Sequence, residues 1–213
     1  MPFSNIIAVP FVSLEKIYFT LPTCFYLLFL LFLILGTANA VNLTDGLDGL
    51  AIIPVIINLF ILLIFLFSIN LDLLNSILLQ DLRVLKYQSG SEYAVVCAAM
   101  IGSGIGFLWY NTYPSMIFMG DIGSLTLGGF LALLVIFTKN ELISGLLNGL
   151  FLIEAISVIV QVLYYKIFHK RVFKMAPIHH HFEIAGSPEP RIVVRFCIVS
   201  LFLSIFSLLS LFV

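Results

Sequence analysis

Apolar runs of about twenty residues recur along this chain and constrain its fold more than any other feature. A lipid hydrocarbon core about 30 Å thick is crossed by roughly 20 helical residues, and inside it the backbone must satisfy its own hydrogen bonds. The predicted fold class is therefore all-α, a polytopic integral membrane bundle of about six transmembrane helices that forms one transmembrane domain over residues 1–213. The predicted spans are residues 20–41, 50–69, 93–110, 122–138, 142–168 and 192–213.

Composition excludes two other classes of protein. Hydrophobic residues make up 62% of the chain and charged residues 10%, which is more apolar surface than one soluble core can bury. The formal net charge of −1 offers no basic surface for a nucleic-acid partner. The three cysteines, Cys24, Cys97 and Cys197, lie inside apolar runs, so we interpret them as small hydrophobes.

The positions of lysine and arginine predict which membrane face is cytoplasmic, because alternate loops lie on opposite faces. The basic cluster "KIFHKRVFK", residues 166–174, directly follows the fifth span, and the positive-inside rule places it in the cytoplasm. The loops at 42–49 and 111–121 then share that face. The basic residues of this face are Lys166, Lys170, Arg171, Lys174, Arg191 and Arg195, against Lys16, Arg83, Lys86 and Lys139 on the other.

Two carboxylates stand in the first of these loops, "NLTDGLDGL", beside lipid-crossing segments. Asp48 alone is compatible with an N-cap for the second span, but capping explains one aspartate and leaves Asp45 without a reason. Gly46 and Gly49 allow a ligand to approach the backbone closely. The loop therefore favours ligand binding.

A third acid, Asp121, lies in "MGDIGS" on the same predicted face and opens a helix. By itself it is equally compatible with an N-cap or a ligand. Together with Asp45 and Asp48 it forms a set of oxygen donors suited to Mg²⁺, which binds a few carboxylates, waters and phosphate oxygens. The sequence thus predicts a magnesium and diphosphate site.

Three consecutive histidines, His179, His180 and His181, lie in the third loop of that face. Adjacent residues of a regular helix or strand do not all point at one ion, so a zinc site would lack ligands. We expect one or two of these imidazoles to contact an anionic substrate or a base edge. The neighbouring lysines are also compatible with simple attraction to anionic membrane lipid.

The fifth predicted span carries polar residues on one helical face. Glu154, Ser157 and Gln161 recur at spacings of three and four residues. An ionisable residue this deep normally faces the bundle interior or a polar cavity. We expect Gln161 to reach the site and Glu154 to bond to a neighbouring helix.

Three motifs, "GTANAVNLTDGLDGLA", "GFLWYNTYPSMIFMGDIGSLTLGG" and "MAPIHHHFEIAGSPEPRIVVRF", closely resemble those of the bacterial phospho-N-acetylmuramoyl-pentapeptide transferases, or translocase I. This family belongs to the polyprenyl-phosphate N-acetylhexosamine-1-phosphate transferase superfamily. The resemblance implies Mg²⁺-dependent transfer of phospho-MurNAc-pentapeptide from UDP-MurNAc-pentapeptide to undecaprenyl phosphate. The products would be lipid I, for peptidoglycan synthesis, and UMP. The reaction would take place at the cytoplasmic face of the bacterial cytoplasmic membrane.

The resemblance also implies roles for individual residues. Asp121 would be catalytic and ligate the metal, and Asp45 would be a catalytic acid acting as nucleophile or base. Phe118 would stack on uracil. The implied substrate-binding residues are Asn42, Gly46, Asp48, Asn111, Phe118, Gln161, His179, His180 and His181.

The family has ten spans, and this chain resembles the last six. The four N-terminal spans, with an acidic pair that the family places in its active site, are expected to be absent. Three explanations stay open: an inactive fragment whose other part is encoded upstream, one half of a split transferase that assembles with a separate N-terminal half, or a degenerate remnant. A non-catalytic membrane transporter or scaffold is the hypothesis from a different class, and a homodimer is a further partner to be considered. A relative that transfers another sugar phosphate is a further alternative.

Overall fold

The computed structural model describes residues 6–8, 18–70 and 90–210. Within them a two-stranded antiparallel sheet, which pairs Ile7 with Phe19, precedes eight helices. The strands are β1 (Ile6–Ala8) and β2 (Tyr18–Thr20). The helices are α1 (Thr23–Thr44), α2 (Ile52–Asn70), α3 (Gly90–Asn111), α4 (Gly120–Phe137), α5 (Ser144–Leu147), α6 (Gly149–Phe168), α7 (Ile178–Ile184) and α8 (Glu189–Leu209).

Among the described residues, five helices are long and apolar enough to cross a membrane: α1, α3, α4, α6 and α8. Helix α2 contributes a shorter apolar stretch, Ile52–Leu66. Each predicted span overlaps one of these six helices, so the predicted all-α polytopic membrane fold is confirmed. The two three-residue strands are an addition that was not predicted. Lys16, residues 71–89 of the predicted loop with Arg83 and Lys86, and residues 211–213 lie outside the described residues.

The fifth predicted span, residues 142–168, is not one continuous helix, and that prediction is wrong in this respect. Asn148 separates α5 from α6. Its Oδ1 accepts a hydrogen bond from Asn58 Nδ2 of α2 at 2.9 Å, and Ser204 Oγ of α8 donates to Asn58 Oδ1 at 2.7 Å. Asn is a poor helix former, and here the helix is interrupted while Asn148 makes this buried polar contact.

Helices α1 and α4 pack closely enough for their backbones to touch. A Cβ atom on Gly128 would lie 2.7 Å from the Cα atom of Ala38, so this position requires glycine. Val41, Leu131 and Val135 are fully buried beside the contact and belong to the main core. The packing brings the last turn of α1 beside the first turn of α4.

Candidate functional site

Two of the three predicted loops meet where α1 ends and α4 begins. Asn42, in the last turn of α1, donates from Nδ2 to Asp121 Oδ1 at 2.9 Å and to Ser124 Oγ at 2.9 Å. Asp121 is exposed and Ser124 is buried in the first turn of α4. We call the end of the bundle that carries Asn42 and Asp121 the site end.

The loop after α1 is also hydrogen-bonded to the loop before α4. Asp48 accepts two hydrogen bonds from Ser115, from the backbone N–H at 2.9 Å and from Oγ at 2.8 Å. Asn111 accepts from the Gly49 N–H at 3.1 Å and donates to the Ile117 carbonyl at 2.8 Å. Asp48 therefore joins two loops in place of the helix-capping role considered above. These contacts hold both loops in a fixed relation.

Asp45 lies between these attachments, half-buried, directly after α1. Burial raises the pKa of its carboxyl group, and the negative charge of nearby Asp121 raises it further. Two carboxylates that repel each other in this way form a donor set that a hard divalent cation would stabilise.

This pair fits magnesium better than a metal that needs a complete protein cage. Across residues 6–8, 18–70 and 90–210, no group of three or more His, Cys, Asp or Glu side chains is arranged to hold an ion. Mg²⁺ commonly takes one or two carboxylates and completes its shell with waters and substrate phosphates. Asp45 and Asp121 are the residues that could hold it.

The third motif reaches the first loop through a fully buried histidine. A Cβ atom on Gly46 would lie 2.3 Å from His179 Nε2 and 3.2 Å from His180 Nε2, so α7 packs directly against the loop backbone. The prediction that the three polar loops meet at one end of the bundle is thus confirmed.

The three histidines have three different partners. His179 Nδ1 lies 3.3 Å from Glu154 Oε1, and His180 Nδ1 lies 2.8 Å from Glu183 Oε2. His181 Nδ1 accepts from the Lys174 N–H at 3.1 Å. The residues form a short helix, α7, within the segment that was predicted only as a loop. The His179 and His180 rings lie 4.2 Å apart and both reach Gly46, whereas His181 bonds to the basic cluster.

The Gln161 side chain forms hydrogen bonds with the backbone of the basic cluster, residues 166–174. Its Oε1 accepts from the N–H groups of Val172 and Phe173, at 3.1 and 2.9 Å, and its Nε2 donates to the Phe173 carbonyl at 3.1 Å. The side chain therefore shapes this loop, and its contact with substrate stays a prediction.

Glu154 was not among the predicted site residues, yet its carboxylate bonds to α7, the histidine helix that carries His179, His180 and His181. Its side chain is fully buried, and Oε2 accepts from the Ile178 N–H at the start of α7 at 2.8 Å. The expectation that it bonds to a neighbouring helix is confirmed. The available signal was a buried acid on the face of α6 that also carries Gln161.

Two further features of the site end are open to ligands. The Phe118 side chain is 79% exposed on the loop before α4. A cavity of about 530 Å³ is lined by Lys166 and Arg171 together with Gln161 and Tyr165. An aromatic face and a basic cavity are suited to a base and to anionic groups.

Fold and site together define a multi-pass helical membrane protein with paired carboxylates and histidines gathered at one end of its bundle. Residues 3–139 match the family model described as glycosyl transferase family 4. The chain belongs to this family.

Curated relatives are similar over most of the chain. The phospho-N-acetylmuramoyl-pentapeptide-transferase of Sorangium cellulosum is 52% identical over 204 residues, which are 96% of this chain and 54% of the relative. The proteins of that name from Myxococcus xanthus and Blochmanniella floridana are each 54% identical over 134 residues. Those residues are 63% of this chain and 34% and 37% of the relatives. The chain thus spans about half the length of the first of these relatives and less of the others.

Proposed function

We propose that this chain carries the nucleotide-binding and catalytic end of a phospho-N-acetylmuramoyl-pentapeptide transferase. The reaction moves phospho-MurNAc-pentapeptide from UDP-MurNAc-pentapeptide to undecaprenyl phosphate and yields lipid I and UMP. One observation carries the proposal: the end of α1, where Asp45 follows the last turn, is hydrogen-bonded through Asn42 to Asp121 at the end of an apolar bundle, and His179 packs against Gly46 of the same loop. A lipid acceptor and a water-soluble diphosphate donor would meet at such an end.

The carboxylates have separate roles in this reaction. Asp121 would hold a magnesium ion, which would neutralise phosphate charge and lower the barrier to attack on the diphosphate. Asn42 holds the Asp121 carboxylate in place through its 2.9 Å hydrogen bond. Asp45 accepts the proton of the attacking lipid phosphate. The new P–O bond to the sugar phosphate forms as the bond to UMP breaks.

The remaining residues bind and orient the donor. The exposed ring of Phe118 stacks on uracil, while His179 and His180 approach the diphosphate from α7. The hydrogen bonds of Asp48 and Asn111 fix the loop after α1 and the loop before α4 in position relative to each other. A positioning error of about 1 Å in such a site costs about 10²-fold in rate, so these contacts matter for catalysis.

The basic cluster suggests where the reaction occurs. Lys166, Lys170, Arg171 and Lys174 follow α6 at the site end. By the positive-inside rule this end faces the cytoplasm, in the bacterial cytoplasmic membrane. Residues 1–213 act there as one transmembrane domain, together with the acidic residues that the rest of a full-length relative would contribute.

Transfer by the purified chain tests the proposal. We would measure Mg²⁺-dependent UMP release and lipid I formation by the chain alone and by the chain co-expressed with the N-terminal part of the Sorangium relative that it does not match. Asp121→Asn should lower transfer by about 10²-fold or more, since it removes a charge that faces the phosphates. The matched control is Glu92→Gln, which removes an exposed acid at the opposite end of the bundle.

Each outcome has a defined meaning. Magnesium-dependent transfer that Asp121→Asn abolishes and Glu92→Gln leaves intact supports the proposal. Full transfer in Asp121→Asn, or no transfer in either preparation, contradicts it and favours a non-catalytic membrane protein. Equal or better use of UDP-GlcNAc in a competition assay would assign the chain to a different sugar phosphate.

A further inference from the structure

Glu154 and His179 form a buried pair beneath the site. Both side chains are fully buried, and Glu154 Oε1 lies 3.3 Å from His179 Nδ1. Within the described residues neither atom meets hydrogen-bond geometry with any partner, so the contact between them is one of ion-pair distance. Buried carboxylate and imidazole groups are expensive to leave unpaired, so each is the natural partner of the other.

The second carboxylate oxygen determines how Glu154 is oriented. Oε2 accepts from the Ile178 N–H at 2.8 Å, at the first residue of α7. A backbone N–H only donates, so this atom must stay an acceptor. Oε1 is then the oxygen that faces His179, and the same side chain fastens the histidine helix to α6.

We propose that Glu154 is a positioning residue for His179. The carboxylate accepts a hydrogen bond from Nδ1–H and thereby fixes the tautomer in which Nε2 has no proton of its own and is presented to the ligand. A carboxylate behind an imidazole commonly sets both the ring orientation and the tautomer. The role rests on the proposed function, because the ligand presented to Nε2 is the diphosphate donor.

A second observation points to a ligand at Nε2. This nitrogen is buried and lacks a hydrogen-bond partner among the described residues, although it lies beside the backbone of Gly46. Leaving a buried polar atom without a hydrogen-bond partner is unfavourable, so such an atom points to a missing partner. Gly46 adjoins Asp45, so a diphosphate held by the acidic loops would pass within reach of Nε2. The anion would favour the doubly protonated ring, whose charge Glu154 would balance.

The variant Glu154→Gln separates positioning from simple tethering. The amide oxygen keeps the bond from the Ile178 N–H, so the amide NH₂ group must face His179 Nδ1. That group donates, and the ring is forced into the tautomer with the proton on Nε2. In carboxylate–histidine pairs of this kind, replacing the acid by its amide preserves the geometry, reverses the tautomer and removes the negative charge that would balance a doubly protonated ring.

Nitrogen NMR of the full chain with ¹⁵N-labelled histidine measures the tautomer directly. The chain has four histidines, and the His179 signals are identified by their loss in His179→Gln. In the unliganded wild type, Nδ1 should resonate in the protonated region and Nε2 in the unprotonated region, and Glu154→Gln should exchange the two. Addition of UDP with Mg²⁺ should shift wild-type Nε2 into the protonated region.

A matched control tests whether the effect is specific. Glu183→Gln changes the partner of His180, which lies 2.8 Å away, and should alter the His180 signals while leaving those of His179 unchanged. An unliganded wild type with the proton on Nε2 overturns the proposal, and this result is decisive even if Glu154→Gln does not fold. Exchange of the two His179 signals in Glu154→Gln supports it.

Kinetics of the complemented enzyme separate this inference from the proposed function. Glu154→Gln should raise the KM for UDP-MurNAc-pentapeptide by roughly tenfold or more, because the neutral amide cannot balance the charge of the doubly protonated ring that binds the anion. A wild-type enzyme without transfer would contradict the proposed function and leave the tautomer result standing. Unchanged kinetics together with an exchanged tautomer would overturn the role of His179 toward the donor.

Discussion

Gly46 is the residue at which the acidic loop and the histidine helix touch. A Cβ atom there would overlap His179 Nε2, at 2.3 Å, so the absence of a side chain is a condition for the site to close. Gly49, three residues later, adopts a left-handed backbone with φ of 77° that other residues rarely adopt. The two glycines of this loop therefore serve different purposes, close approach and chain reversal.

Gly46→Ala should displace either the His179 ring or the loop. We expect transfer to fall by about 10²-fold, as for a 1 Å displacement in an active site, with a small change in thermal stability. UMP release would measure the loss of transfer, and the His179 nitrogen signals would report the displacement of the ring. Gly36→Ala is the matched control, because a Cβ there meets nothing within 4 Å. Equal activity of both variants would contradict the close contact.

Sequence motifs identified most of the residues at the site end, and the reason is chemical. Carboxylates, glycines and histidines beside apolar spans have few structural purposes, so Asp45, Gly46 and His179 stood out. The partners of Glu154 and Gln161 could not be predicted, because they depend on how α6 packs against residues 172–178. Their hydrogen bonds are with backbone N–H and carbonyl groups, which carry no sequence signal.

Helices α1 and α4 form the element pair on which the site depends. Their backbones meet at Gly128, and Asn42 and Asp121 are joined at the end of the same interface. Small residues let membrane helices approach closely, which strengthens van der Waals packing in lipid. An error in this packing would therefore propagate to the carboxylate pair.

Two adjacent glycines of α4 provide a sharp test of this interface. Gly128→Ala should destabilise the fold by about 1–3 kcal/mol, since its Cβ would lie 2.7 Å from Ala38 Cα and 2.8 Å from the Thr37 carbonyl oxygen. Gly129→Ala meets nothing within 4 Å and should be neutral or slightly stabilising. Unfolding in mixed detergent measures both. Equal stability of the two variants would exclude backbone contact at Gly128.

Span positions could be predicted from the sequence, whereas breaks and short helices could not. Apolar run length is a local property, so each predicted span overlaps a long helix. The interruption at Asn148 depends on Asn58 and Ser204, which are distant in sequence. Helix α7 depends on Glu154, whose carboxylate binds its first backbone N–H group.

The whole molecule has a polar cluster at each end, and the two differ in kind. At the site end the carboxylates are exposed or half-buried and open to ligands. At the opposite end Tyr26, Lys139 and Glu141 are buried together. Tyr26 donates to Glu141 Oε1 at 2.8 Å, Lys139 Nζ donates to Tyr26 Oη, and Lys139 Nζ lies 3.5 Å from Glu141 Oε1. This second cluster joins the start of α1 to the turn after α4.

Removing one charge of this buried pair should cost far more stability than removing both. Lys139→Met leaves the Glu141 carboxylate buried without its cation, and we expect a loss of about 3–5 kcal/mol in the free energy of unfolding. Lys139→Met combined with Glu141→Gln removes the charge and keeps an acceptor for Tyr26, so most of that loss should be recovered.

A double-mutant cycle in detergent gives the coupling energy between Lys139 and Glu141. Additive single and double variants would show that the two charges act independently, contrary to the expectation. The combined variant should also retain transfer activity in the complemented enzyme, because the cluster lies at the end of the bundle away from Asp45 and Asp121. If stability recovered but transfer were lost, the cluster of Tyr26, Lys139 and Glu141 would have to affect catalysis at the site end.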